Sequence, residues 1–110
     1  MKLKMKQDDK IDFGLKISDL NTIISVIKEN NKITKIILFG SRAKGNFKNG
    51  SDIDLAIISE NLSFDELLEI KVNLEELLLP YIFDLVDYNT ITNEDLKQHI
   101  QRIGKIIFQK

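Results

Sequence analysis

The feature that most constrains the fold is a pair of short apolar segments on either side of a glycine-containing loop. Ile33 to Phe39, with its run Ile36-Ile37-Leu38-Phe39, reads as a buried strand that stops at Gly40. Asp52 to Ile58 alternates strictly, with Ile53, Leu55 and Ile57 on one face and Asp52, Asp54, Ala56 and Ile58 on the other. The loop between them carries Asn49-Gly50, a turn signal. Helical patterns flank the pair. Ser18 is expected to cap a helix with Leu20, Ile23, Ile24 and Ile27 on one face, ended by Asn30 and Asn31. Ser63 and Glu66 form a capping box ahead of Phe64, Leu67, Leu68, Leu74, Leu77 and Leu78, and Pro80 is expected to stop that helix. Tyr81 to Asp87 reads as a third strand. Thr92 or Asn93 can cap a last helix to about Ile103, and Lys105 to Phe108 can add an edge strand. The expectation is an α/β fold with a small mixed β-sheet and helices packed on it.

At 110 residues the chain fits one domain, and residues 11–110 are expected to form it, with a lysine-rich, frayed segment at 1–10. The absence of cysteine removes disulfides and thiolate metal sites, and the single histidine, His99, removes a multi-histidine site. A metal here must be held by oxygen, which favours hard cations. Net charge is −1, so charge alone gives no reason to expect direct nucleic-acid binding. No apolar run is long enough for a membrane span, and Lys2, Lys4, Lys6 and Lys10 interrupt any signal-peptide core. A soluble, cytoplasmic protein is the expectation.

Chemistry concentrates in Leu38-Phe39-Gly40-Ser41-Arg42-Ala43-Lys44-Gly45 and Gly50-Ser51-Asp52-Ile53-Asp54-Leu55. Asp52 and Asp54 project from one strand face, with Cα atoms about 6.6 Å apart, so their carboxylates can converge on one ion or bridge two. An antiparallel pairing of the first two strands sets Gly40-Ser41 beside them. Gly40 permits close backbone approach, and Ser41 opens a short helix whose N–H groups and hydroxyl suit phosphate oxygens. The helix after Ser63 makes a crossover, so the third strand is expected parallel to the second, with Asp84 near the level of Asp54. Asp87, out of phase with Asp84, is expected to cap the following turn.

Other readings compete for these residues. The glycine-serine corner can be a plain strand-ending turn, and Asp52 and Asp54 a solvated strand face. Ala56 stands where a calcium loop needs a ligand, and no Gly-Lys-Ser/Thr follows the glycines as in a P-loop. Arg42 can clamp phosphate or pair with an acid on the sheet. Lys44 and Lys48 fit a solvated loop edge. His99 fits a surface or partner contact better than a catalyst. Most leucines of 67–79 fit a core, with Ile70, Leu77 and Leu79 as a candidate interface stripe.

The joint motif resembles the minimal nucleotidyltransferase family of the polymerase-β-like superfamily. That pattern is Gly-Ser, ten residues, then Asp-x-Asp, with a later aspartate on a following strand. Gly40-Ser41, residues 42–51 and Asp52-Ile53-Asp54 match it without a gap, and the resemblance runs from about Ile11 to the C-terminus. It implies a nucleotidyltransferase using ATP or another triphosphate with Mg²⁺ or Mn²⁺. Gly40 and Ser41, with Arg42 as a further candidate, would hold the nucleotide; Asp52, Asp54 and Asp84 would be the metal ligands and catalytic residues. It further implies an antitoxin that adds AMP to a tyrosine of a helical HEPN-type toxin. An antitoxin that neutralises by occlusion, without turnover, is the alternative, and a small-molecule nucleotidyltransferase subunit is a third. Larger relatives carry a further domain for the acceptor, so this chain is expected to borrow its acceptor site from another.

Overall fold

The computed structural model describes residues 11–48 and 50–110; the expected N-terminal segment 1–10 and Asn49 of the expected turn lie outside them. The chain opens with a hairpin of β1 (Ile11–Asp12) and β2 (Leu15–Lys16), turned through Phe13 and Gly14 at positive φ. It then runs α1 (Ile17–Lys28), β3 (Ile33–Phe39), α2 (Gly40–Lys44) and β4 (Ile53–Ser59). α3 (Phe64–Glu75), β5 (Phe83–Asp87), a 3₁₀ turn at Tyr88–Thr90, α4 (Glu94–Ile103) and β6 (Lys105–Gln109) complete it. The main sheet has the order β5-β4-β3-β6. β3 is antiparallel to both β4 and β6, while β4 and β5 are parallel, as the α3 crossover requires. The fold is the expected α/β arrangement around a small mixed sheet.

Both faces of the sheet are covered. Ile53, Leu55 and Ile57 of β4 are fully buried with Ile36 and Leu38 of β3, in the same cluster as Leu20, Ile23 and Ile27 of α1 and Ile70 and Leu74 of α3. The opposite face is smaller: Phe39, Ala56 and Ile100 form a second cluster bordered by Leu96, Val86 and Tyr88. β4 is therefore apolar on both sides at its middle, and its acidic residues lie towards its start.

Several local expectations need correction. α1 begins at Ile17, with Lys16 in the cap position and no side-chain cap. Ser18 lies inside the helix, because the β2 strand delivers the chain directly into it; the Ser18 carbonyl accepts from Thr22 Oγ1 at 2.9 Å. α3 starts as expected, with both bonds of the Ser63–Glu66 box present. It ends at Glu75, however, well before Pro80, and Leu78 takes a left-handed φ of 56°. Proline sets an outer limit on a helix but not its last turn. β5 begins at Phe83 rather than Tyr81. The suggested stripe of Ile70, Leu77 and Leu79 is not exposed as such, since Ile70 is core at 4% exposure. The exposed apolar residues of α3 are Phe64, Leu68 and Val72. Asn93 caps α4 by accepting from the Leu96 N–H, and Asp87 caps its turn by accepting from the Asn89 N–H at 3.1 Å.

Candidate active site

Strand register brings the acidic residues together. In the antiparallel β3–β4 ladder Phe39 lies opposite Asp54, and in the parallel β4–β5 ladder Asp54 lies level with Asp84. Asp52 sits just ahead of β4 on an exposed position, Asp84 is exposed on edge strand β5, and Asp54 between them is half-buried. Three carboxylates thus approach one another from two adjacent strands, and among the described residues no lysine or arginine forms an ion pair with any of them. The consequence falls on Asp54, whose pKa is pushed up to about 6. Burial is the largest cause, followed by the charges of Asp84 and Asp52 and a hydrogen bond with Asp84; only the Arg42 charge opposes them. Among the described residues no three His, Cys, Asp or Glu side chains are placed close enough together to hold a metal ion as they stand. The carboxylates are gathered on one end of the sheet rather than locked around a point.

Gly40 closes the site from the β3 side. Its φ is +76°, a backbone conformation that favours glycine, and a Cβ there would overlap the Asp54 carboxylate. The residue that follows, Ser41, is half-buried in the first turn of α2, and its carbonyl accepts from the Gly45 and Asn46 N–H groups, closing that short helix. The Gly40 N–H donates to His99 Nε2 at 3.2 Å. His99 thereby enters the site region from α4. Its position on a helical surface gave no sign of this, because the bond spans 59 residues of sequence.

Arg42 occupies a different place from a phosphate clamp. It is 3% exposed, and its guanidinium donates from Nε and Nη2 to the Ser51 carbonyl (3.2 and 2.9 Å) and from Nη1 to the Phe13 carbonyl at 2.9 Å. The plane lies over the rings of Phe47 and Tyr81, with its central carbon 5.4 and 5.7 Å from their centroids. One side chain of α2 therefore ties the N-terminal hairpin, the 45–52 loop and the approach to β5 into one unit. Because Ser51 precedes Asp52, the same bonds fix where the acidic pair begins. Lys44, at the end of α2, and Lys48, on the loop, are both exposed.

The glycine-serine corner at the end of β3 thus stands beside Asp54 of β4, with Asp52 just ahead of that strand and Asp84 level with Asp54 on parallel β5. The family model described as Polymerase beta, Nucleotidyltransferase matches residues 21–110, and the chain belongs to that family. A Haemophilus influenzae protein named "Probable protein adenylyltransferase MntA" is 35% identical over 97 residues, spanning 87% of this chain and 84% of the relative. Among solved structures, a toxin–antitoxin crystal structure with AMP-PNP superposes with a TM-score of 0.70 at 30% identity, over 83% of this chain and 73% of that one. A complex of the tri-AMPylated Shewanella oneidensis HEPN toxin with its MNT antitoxin gives a TM-score of 0.66 at 27% identity, over 84% and 71% of the chains.

Proposed function

We propose that this chain transfers AMP from ATP to a protein hydroxyl, a tyrosine of a HEPN-type toxin, and so acts as that toxin's antitoxin. The observation that carries the reading is the alignment of Asp54 with Asp84 across β4 and β5, with Asp52 close enough to act on the same carboxyl. The H. influenzae relative is named as an adenylyltransferase, and the similar solved structures include one with a triphosphate analogue and one with an AMPylated toxin.

The donor set suits Mg²⁺ or Mn²⁺. All three side chains offer hard oxygen ligands, and the burial and, after it, the neighbouring carboxylate charges that raise the Asp54 pKa are what a divalent cation offsets. Asp52 and Asp54 would hold both ions, and Asp84 would share one of them; bound there, such ions neutralise charge at the triphosphate and acidify the acceptor hydroxyl. The chain's own part is positioning and proton transfer. Gly40 and Ser41 lay the triphosphate along the corner, where the missing side chain lets the Asp54 carboxylate stand directly against the backbone. Asp84, on the exposed edge strand, takes the proton of the incoming hydroxyl. The hydroxyl oxygen bonds to the α-phosphorus, the bond to the β-phosphate oxygen breaks, and pyrophosphate leaves. Arg42 acts from beneath the site by fixing Ser51 and the start of the acidic segment.

The test combines the purified chain with its HEPN partner, Mg²⁺ and ATP labelled at the α-phosphate. Label is expected on the toxin, with transfer reduced at least about 100-fold by Asp84→Asn or Asp52→Ala. Absence of label with the unaltered chain overturns the transferase reading. Neutralisation that survives both substitutions without label establishes occlusion instead.

A further inference from the structure

Helix α2 has an uncapped start. Phe39 occupies its cap position and contributes no side-chain hydrogen bond, although the first N–H groups of a helix have no partner within it. The acceptor comes from across the fold. His99 Nε2 takes the Gly40 N–H at 3.2 Å, and its ring packs edge-on against Phe39, with centroids 6.0 Å apart and planes at 80°. The bond needs a lone pair on Nε2, so the imidazole involved carries its proton on Nδ1. His99 sits next to Ile100, which is 2% exposed in the second core cluster, on a helix capped by Asn93. The ring is therefore presented by an anchored element.

Gly40 is consequently held on two sides. The Asp54 carboxylate lies where its Cβ would be, and His99 holds its N–H. Together they hold the Gly40–Ser41 corner, where Gly40 keeps a left-handed φ of the kind that persists when surrounding structure fixes it.

We infer that His99 is a positioning residue for nucleotide binding: a cap supplied by α4 that fixes the Gly40–Ser41 corner beside the carboxylates. It touches neither nucleotide nor metal in this role, and the inference rests on the corner being the triphosphate site proposed above. Its effect should appear mainly in nucleotide affinity, because it arranges the corner and not the proton-accepting carboxylate on β5.

The test uses His99→Leu, which keeps apolar bulk without an acceptor, and His99→Gln, whose Oε1 can replace Nε2. Two readouts are needed in each variant: hydrogen exchange of the Gly40 amide by NMR, and the Kd for a non-hydrolysable ATP analogue with Mg²⁺. His99→Leu is expected to expose the amide to exchange and to raise the Kd about five- to tenfold, the loss of one ordinary hydrogen bond. His99→Gln is expected to restore both to within about twofold. A protected Gly40 amide in His99→Leu, or an unchanged Kd despite an unprotected amide, overturns the inference. Failure of His99→Gln to restore either readout reduces His99 to packing and also overturns it. If the unaltered chain does not bind the analogue while its Gly40 amide is protected, the corner is not the nucleotide site, and both readings fall at that step.

Discussion

At the scale of single residues, Asp54 is where stability and function conflict. Its pKa rises from 3.8 to about 6, so a proton is bound more tightly in the folded chain than in the unfolded one. Below about pH 4 the carboxyl is protonated in both states and folding bears no penalty from its charge; the penalty develops as pH rises through about 6. Asp54→Asn removes that charge with little change in shape. In thermal melts of the metal-free protein, Asp54→Asn should therefore match the unaltered chain near pH 4 and melt at a higher temperature at pH 7.5. AMP transfer should be lost at every pH. A variant that is no more stable at pH 7.5 would show that neither burial nor the neighbouring carboxylates penalise the Asp54 charge. Gly40 bears the complementary constraint. In Gly40→Ala the methyl group meets the Asp54 carboxylate and the backbone keeps an unfavourable φ. Denaturant melts should show a loss of about 1–3 kcal/mol, and transfer should fall with it.

At the scale of elements, how clearly the sequence specified each boundary depended on how local its cause is. The capping box of α3 and the Asn93 cap of α4 are written in residues three apart and appear as expected. Ser63→Ala should lower stability by about 1 kcal/mol, a drop in Tm of roughly 4–8 °C, by calorimetry. Glu66 of the same box has its pKa lowered to about 2, first by Lys32 and then by Asn30. That contribution is present above the ordinary carboxylate range and is lost as pH falls towards 2. The start of α1 departs from the expected Ser18 cap because the hairpin at Ile11–Lys16, made of two-residue strands around Phe13-Gly14, gives almost no periodic signal. The acidic constellation was legible because alternation along β4 and one crossover helix fix the relative levels of Asp54 and Asp84. Arg42 and His99 were not. Their partners lie at Phe13 and Ser51 in one case and at Gly40 in the other, contacts that only the tertiary fold creates.

At the scale of the whole molecule, the sheet is a device for bringing three carboxylates to one end while both its faces stay covered. Strand β5 lies at the edge of the sheet and presents Asp84 on an exposed position. No helix of the described residues is long and apolar enough to cross a membrane. The account stands on Asp52, Asp54 and Asp84 acting as one divalent-cation site when nucleotide is present. Titration with Mn²⁺, followed by electron paramagnetic resonance in the presence of a non-hydrolysable ATP analogue, measures this directly. The unaltered chain should take up Mn²⁺, and Asp52→Asn, Asp54→Asn and Asp84→Asn should each weaken that uptake at least about tenfold. Undiminished Mn²⁺ binding in Asp84→Asn would place that residue outside the site and contradict the account.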